Sequence, residues 1–161
     1  MLKIKIVVFI VIALLIAGCG MAPKGTGPLF SYNPPITEKA NVYHYRSASA
    51  VGGGQLFLLY MNKEFVTIIG NGGYYPQNLL PGDYEYAIKR EVRMPIGLIG
   101  VAIDNARAKA KSVLEFTAEP NKSYYFRWNA AKSEPVESVE EDIALIELEG
   151  LKQFEFETST R

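Results

Sequence analysis

Few residues in this chain are able to do chemistry. His44 is the only histidine and Cys19 the only cysteine among 161 residues. Acid–base or nucleophilic catalysis needs a histidine beside a nucleophile and an orienting acid, and no G-x-S-x-G or comparable context accompanies His44. It sits between Tyr43 and Tyr45 in an alternating run, which reads as a half-buried packing or hydrogen-bonding residue of a strand. Zinc needs three or four ligands; one histidine, one cysteine and Asp83, Asp104 and Asp142 as the only aspartates predict no metal. The run Glu134, Glu137, Glu140, Glu141, Asp142 lacks the glycine turn of a calcium loop and reads as a solvated acidic face. Gly52-Gly53-Gly54 and Gly70-Asn71-Gly72-Gly73 neither open a helix nor precede Lys-Ser/Thr, so they read as strand connections rather than phosphate loops. No catalytic set is expected. Arg46 and Arg127 are the remaining candidates. If their strands are neighbours, both would share a face with Tyr43, Tyr45, Tyr125 or Trp128. Such a patch suits a protein or glycan contact; the same residues also suit cross-strand pairing that fixes a sheet.

The thiol has a context of its own. Lys3 and Lys5 form a positive start, Ile6 to Ala17 is an uninterrupted apolar core, and Ala17-Gly18 supplies the small residues before a cleavage site. A core of about a dozen residues is short of the roughly 20 that a spanning helix needs. Leu15-Ile16-Ala17-Gly18-Cys19 resembles the lipobox of bacterial lipoproteins. The resemblance implies cleavage between Gly18 and Cys19. Cys19 would then carry a covalent diacylglycerol and an N-acyl chain, with no other cofactor. Each buried methylene adds roughly 0.8 kcal/mol to membrane attachment, so two or three chains anchor firmly. Gly20 stands where an aspartate marks inner-membrane retention, which implies the outer membrane.

A leader of 18 residues leaves 143, about one ordinary domain. Losing Lys3 and Lys5 from 17 basic against 17 acidic side chains gives a balance of −2. That argues against a nucleic-acid partner. With Cys19 acylated no disulfide can form, and a chain of this length must rely on its core. Ten tyrosines and eight phenylalanines lie in alternating runs with valine and isoleucine, which is strand composition.

The elements follow from period and punctuation. Residues 20–39, with Pro23, Pro28, Pro34 and Pro35, read as an extended tether, in which Leu29-Phe30 and Tyr32 are able to dock on the domain. A first strand runs through Val42 to Arg46. Gln55–Met61 is nearly all apolar and reads as buried on both faces. Asn62-Lys63 turns it into Glu64–Ile69. Tyr74–Leu80 reads as a short edge strand limited by Pro76. Pro81-Gly82-Asp83 turns into Tyr84–Arg93. Lys111–Glu119, a Pro120-Asn121 turn and Ser123–Asn129 read as another hairpin. Ile143-Ala144-Leu145-Ile146 reads as a last strand and Glu149–Phe156 as a short amphipathic helix. Five or six strands at this spacing predict an all-β sandwich.

Tyr43-His44-Tyr45-Arg46 resembles the first-strand Tyr-x-Tyr-Arg of a family of small bacterial lipoproteins. Asn62-Lys63-Glu64, Pro81-Gly82-Asp83-Tyr84 and Tyr124-Tyr125-Phe126-Arg127 match its hairpin, its Pro-Gly turn and its late Tyr-Tyr-x-Arg strand. The similarity spans roughly Ala40 to Asn129, and Lys63 departs from it where a glycine is usual. The family implies an immunoglobulin-like or transthyretin-like β-sandwich and no catalytic residue.

The resulting organisation is a signal peptide at 1–18, a lipidated tether at 19–39, a sandwich at 40–130 and an acidic segment at 131–161 packed on the domain. Ile96, Leu98, Ile99 and Val101, in an eight-residue apolar stretch with two glycines, read either as core or as a membrane or partner contact. The expected function is a non-catalytic, lipid-anchored envelope protein that binds or assembles with an envelope partner. The alternative is a carrier of a small apolar ligand or lipid.

Overall fold

The computed structural model describes residues 25–49, 55–92, 111–129 and 131–155. Gly18 and Cys19, the Gly52–Gly54 run, and Ile96, Leu98, Ile99 and Val101 lie outside the described residues.

The described residues form nine strands and one helix. They are β1 (Ala40–Arg46), β2 (Gln55–Met61), β3 (Glu64–Ile69), β4 (Gly73–Leu79), β5 (Gly82–Val92), β6 (Lys111–Ala118), β7 (Ser123–Trp128), β8 (Val136–Ser138), α1 (Glu141–Leu148) and β9 (Lys152–Gln153). Two sheets result. One has the order β8-β7-β1-β4-β9, the other β3-β2-β5-β6. The all-β sandwich read from period and punctuation is the fold observed.

Local chemistry explains the best-defined hairpin. Asn62 and Lys63 both adopt positive φ, 49° and 70°, the pair of left-handed residues that suits a two-residue turn between twisted strands. The Asn62 side chain then accepts from the Glu85 amide at 3.0 Å, tying the turn to β5. Alternation on β2 places Phe57 and Leu59 on one face and Leu56, Leu58 and Tyr60 on the other; none exceeds 3% exposure.

The space between the sheets is filled with aromatic side chains. Phe57, Leu59, Tyr86 and Ile88 meet Trp128 in one cluster. Ala40, Val42, Leu79, Ala118 and Phe126 form the next. The Tyr86 and His44 rings are 4.4 Å apart, and Phe116 lies 5.1 Å from Phe126.

Three local expectations are corrected. First, β6 and β7 are not a hairpin: β6 pairs with β5, and β7 pairs in parallel with β1. The Asn121 turn is held at the start of β1, its amide donating to Lys39 O at 2.8 Å while the Asn41 amide donates to Lys122 O at 2.9 Å. Those bonds draw β7 into the other sheet. Second, Ile143 to Ile146 lie in α1, not in a strand. Four apolar residues do not separate helix from strand; Glu141 and Asp142 in the first turn favour the helix dipole, and Ala144 and Leu148, one turn apart, are the residues it buries. Third, the described part of Glu149–Phe156, which ends at Glu155, is not a helix. Gly150, at φ 78°, follows the end of α1, and Lys152–Gln153 continue as β9, parallel to β4. β4 is therefore not simply an edge. Pro76 is tolerated because β9 reaches only Gly73 and Tyr74. Within the tether segment, the described residues from Gly25 to Phe30 lie along the β9 segment. Gly27 N and Phe30 N donate to Gln153 O and Leu151 O, and Gln153 N donates to Pro28 O, each at 2.9 Å. A Cβ on Gly25 would collide with the Lys152 carbonyl, so this close approach requires glycine.

Candidate functional site: an uncharged groove on the five-stranded sheet

The outer face of the five-stranded sheet carries Asn41, Tyr43 and Tyr45 of β1. Register places Ser123, Tyr125 and Arg127 of β7 beside them, and β4 adds Tyr74, Pro76 and Asn78. Two elements lie over this face. α1 covers one half through Ala144 and Leu148, and the N-terminal strap covers the other through Phe30. The Phe30 ring meets Tyr43 and Tyr74 edge-on at 5.7 and 5.4 Å.

Under α1 the arrangement is an ionic clamp. The Tyr45 hydroxyl donates to Glu147 Oε2 at 2.6 Å. Arg127 Nε donates to Glu137 at 2.6 Å and its Nη1 donates to Glu147. Lys132 completes the set on Glu137 at 2.8 Å. Burial opposes the charge on Arg127, but Glu137 and Glu147 outweigh it and its pKa rises. Lys132 and then Arg127 hold Glu137 below the usual carboxylate range. Burial, reinforced by Glu147, pushes the Tyr45 hydroxyl up. The clamp fastens strand, helix and β8 together.

Under the strap the surface is different. A half-open groove of about 500 Å³ runs between strap and sheet. Its strap wall is Pro28, Leu29, Ser31, Asn33, Pro34 and Ile36. Its floor is Asn41, Tyr43, Tyr74, Pro76, Asn78 and Gln153. Among the described residues no charged side chain lines it, in a chain in which 21% of residues are charged. Asn41 sets the strap in place: its Nδ2 donates to the carbonyls of Asn33 and Pro34 at 3.1 and 3.2 Å. The Oδ1 of Asn41, in the groove floor, has no hydrogen-bond partner among the described residues. An unpaired buried polar atom costs roughly 1–3 kcal/mol. A second depression, of about 520 Å³ and more open, is lined by Asn62, Asp83, Tyr84, Glu85, Glu115, Phe116 and Thr117; it is an acidic, solvated surface.

The structure divides the residues singled out from the sequence. Tyr43, Tyr45, Tyr125 and Arg127 share the outer face. Arg46 and Trp128 point inward, because Tyr45, not Arg46, stands opposite Arg127. Arg46 is 2% exposed. Its Nη1 donates to Gln55 O at 2.7 Å and its guanidinium lies 5.5 Å from the Phe57 ring centre. Burial pulls its pKa down. Tyr43, Tyr45 and Tyr125 are at most 4% exposed, so they support the strap and helix rather than forming an open patch.

His44 is wholly buried, not half-buried. Trp128 Nε1 donates to its Nδ1 at 3.2 Å. Its Nε2 has no partner in hydrogen-bond geometry. Burial lowers its pKa to about 3, the nearby Gln77 amide opposing the shift. Gly70 to Gly73 is the β3–β4 connection, where Asn71 exchanges two bonds with the Ser49 backbone. Among the described residues no three of His, Cys, Asp and Glu are grouped to hold a metal ion, and no helix is long and apolar enough to cross a membrane.

Sequence reasoning missed Asn41, Asn78, Gln153 and the strap residue Asn33. The signal for Asn41 was present: it continues the odd-numbered alternation of Tyr43 and Tyr45. Gln153 carried none, since β9 is defined by its partners alone. No family model, no curated protein and no solved structure matches the chain.

Proposed function

We propose that this chain is a non-catalytic, lipid-anchored protein of the bacterial envelope, serving as a binding or assembly module on an immunoglobulin-like or transthyretin-like sandwich. The observation that carries the binding reading is the uncharged groove, with its unpaired Asn41 oxygen and its wall of prolines and amides. The lipobox-like run ending at Cys19 carries the anchor. The burial of His44 supports a non-catalytic role, because a dissolved substrate has no route to it. The alternative of an apolar carrier draws no support from the inter-sheet space, which the aromatic clusters fill.

The test is site-specific photo-crosslinking in cells that make the full chain. A photoreactive residue at Asn78, in the groove, is expected to give a discrete adduct. The same residue at Glu115, on the other sheet, is expected to give none. Equal or absent labelling at both positions overturns the binding reading. The anchor is tested separately, by the mass of the mature N-terminal peptide: an unacylated Cys19 removes it.

A further inference from the structure

We infer that the strap face carrying Leu29, Tyr32 and Ile36 rests on the lipid bilayer surface, so that the domain lies against the membrane rather than ranging from it. The inference rests on the anchor proposed above.

Chain length limits how far the strap lies from Cys19. Read from the sequence alone, residues 20–39 are a tether of about twenty residues. The fold takes most of it away. From Gly27 to Phe30 the backbone is bonded to the β9 segment, and Gly25 is already packed against Lys152. Cys19 and Gly25 are six residue steps apart, with five residues between them. Fully extended, these steps span at most about 20 Å. Several ångströms of that lie within the headgroup layer, since acyl chains on Cys19 must reach the hydrocarbon core. The start of the strap is thereby confined to the neighbourhood of the bilayer.

The strap also displays apolar side chains. Leu29 is 58% exposed, Tyr32 47% and Ile36 50%. Single exposed apolar side chains are ordinary on any protein. These three fall within eight residues, on the segment that covalent geometry places nearest the membrane. A tyrosine among aliphatic residues suits the interface, where its ring is buried and its hydroxyl stays wet. Lys152, which pairs with Leu29 in an isolated bridge, can lay its stem along the surface and keep its ammonium among the headgroups. α1 packs over β7, and Glu141 in its acidic first turn acts on the Tyr43 and Tyr125 hydroxyls alongside Tyr32, so this carboxylate marks the margin of the face that meets the headgroups. Leu29 and Ile36 also border the groove, so its mouth opens at the bilayer surface.

The experiment uses the full chain in vesicles of phosphatidylethanolamine and phosphatidylglycerol. With Cys19 acylated, Tyr32→Cys and Glu115→Cys each provide a single thiol for an environment-sensitive dye. Brominated acyl chains are expected to quench the dye at position 32 and leave that at 115 unchanged. Substituting Leu29→Ser and Ile36→Ser in the Tyr32→Cys protein is expected to reduce the quenching. A cooperative thermal transition checks folding, and Ile36→Ser alone serves if the double change does not fold. Absent quenching at position 32, or equal quenching at both, overturns the inference. If the N-terminal peptide proves unacylated, the anchor reading fails on its own evidence. The dye-labelled protein in a Cys19→Ser background is then added to the same vesicles: quenching at 32 sustains the contact, and its absence overturns it.

Discussion

Trp128 Nε1 donates to His44 Nδ1 at 3.2 Å, joining β7 to β1 in the middle of the core. The bond makes Nδ1 an acceptor, so the single proton of the neutral ring sits on Nε2. A buried imidazole of this kind is a pH liability for the fold. Its folded pKa, about 3, lies below the unfolded value of about 6.5, so the unfolded chain binds the extra proton first. Stability is therefore full above about pH 6.5 and is lost as pH falls from there toward 3. We expect a loss of about 1.4 kcal/mol per pH unit within that window. Urea unfolding at pH 7, 6, 5 and 4 measures it. His44→Gln, which keeps an acceptor for Trp128, is expected to flatten the slope by that amount; an unchanged slope refutes the assignment.

Tyr45 and Arg127 both end on Glu147. The pair Arg127–Glu147 is only 30% and 26% exposed at its side chains, so solvent screens it less than an open surface pair. A double-mutant cycle of Arg127→Met and Glu147→Gln is expected to give a coupling of about 1–2 kcal/mol. Tyr45→Phe is expected to lose about 1–2 kcal/mol through the hydroxyl alone. A coupling near zero would show that α1 is held by Ala144 and Leu148 without the clamp.

Arg46 combines a buried charge with a carbonyl bond and an aromatic neighbour. Arg46→Ala leaves the Gln55 carbonyl without that donor and removes the packing of the stem. A loss of about 2–4 kcal/mol is expected from these effects together. Chemical denaturation measures it. Photo-crosslinking through the groove should be unaffected in whatever fraction remains folded, since Arg46 faces away from it.

Lys63 holds φ 70° at the second position of the β2–β3 turn. A left-handed conformation costs a residue with a Cβ roughly 1–2 kcal/mol, a cost that glycine does not carry. Part of that gain is offset by glycine's greater freedom when unfolded. Lys63→Gly is expected to stabilise the fold by about 0.5–1 kcal/mol, seen as a higher midpoint in thermal unfolding. A destabilised variant would mean that the lysine side chain makes a contact of greater worth.

The sequence by itself determined the elements whose causes are local. β2 and β3 run Gln55–Met61 and Glu64–Ile69, as the apolar run of β2 and the Asn62-Lys63 turn require, because both signals act within a few residues. Tertiary structure alone decided which strands are neighbours. Nothing within Lys111–Trp128 says that β6 and β7 part into different sheets; bonds from Asn121 and Lys122 to the start of β1 do. β9 exists as a strand through its pairing with β4, and the strap is held in place by its bonds to the β9 segment. The candidate site shows the same division. Both motif strands, and both arginines on them, were legible in the sequence. Their faces were not: a strand's side chains alternate with a period of two, so a register shift of one residue sends a side chain to the opposite face. The pairing of Tyr45 with Arg127 places Arg127 beneath α1 and turns Arg46 into the core, and only the long-range assembly of β1 against β7 sets that register.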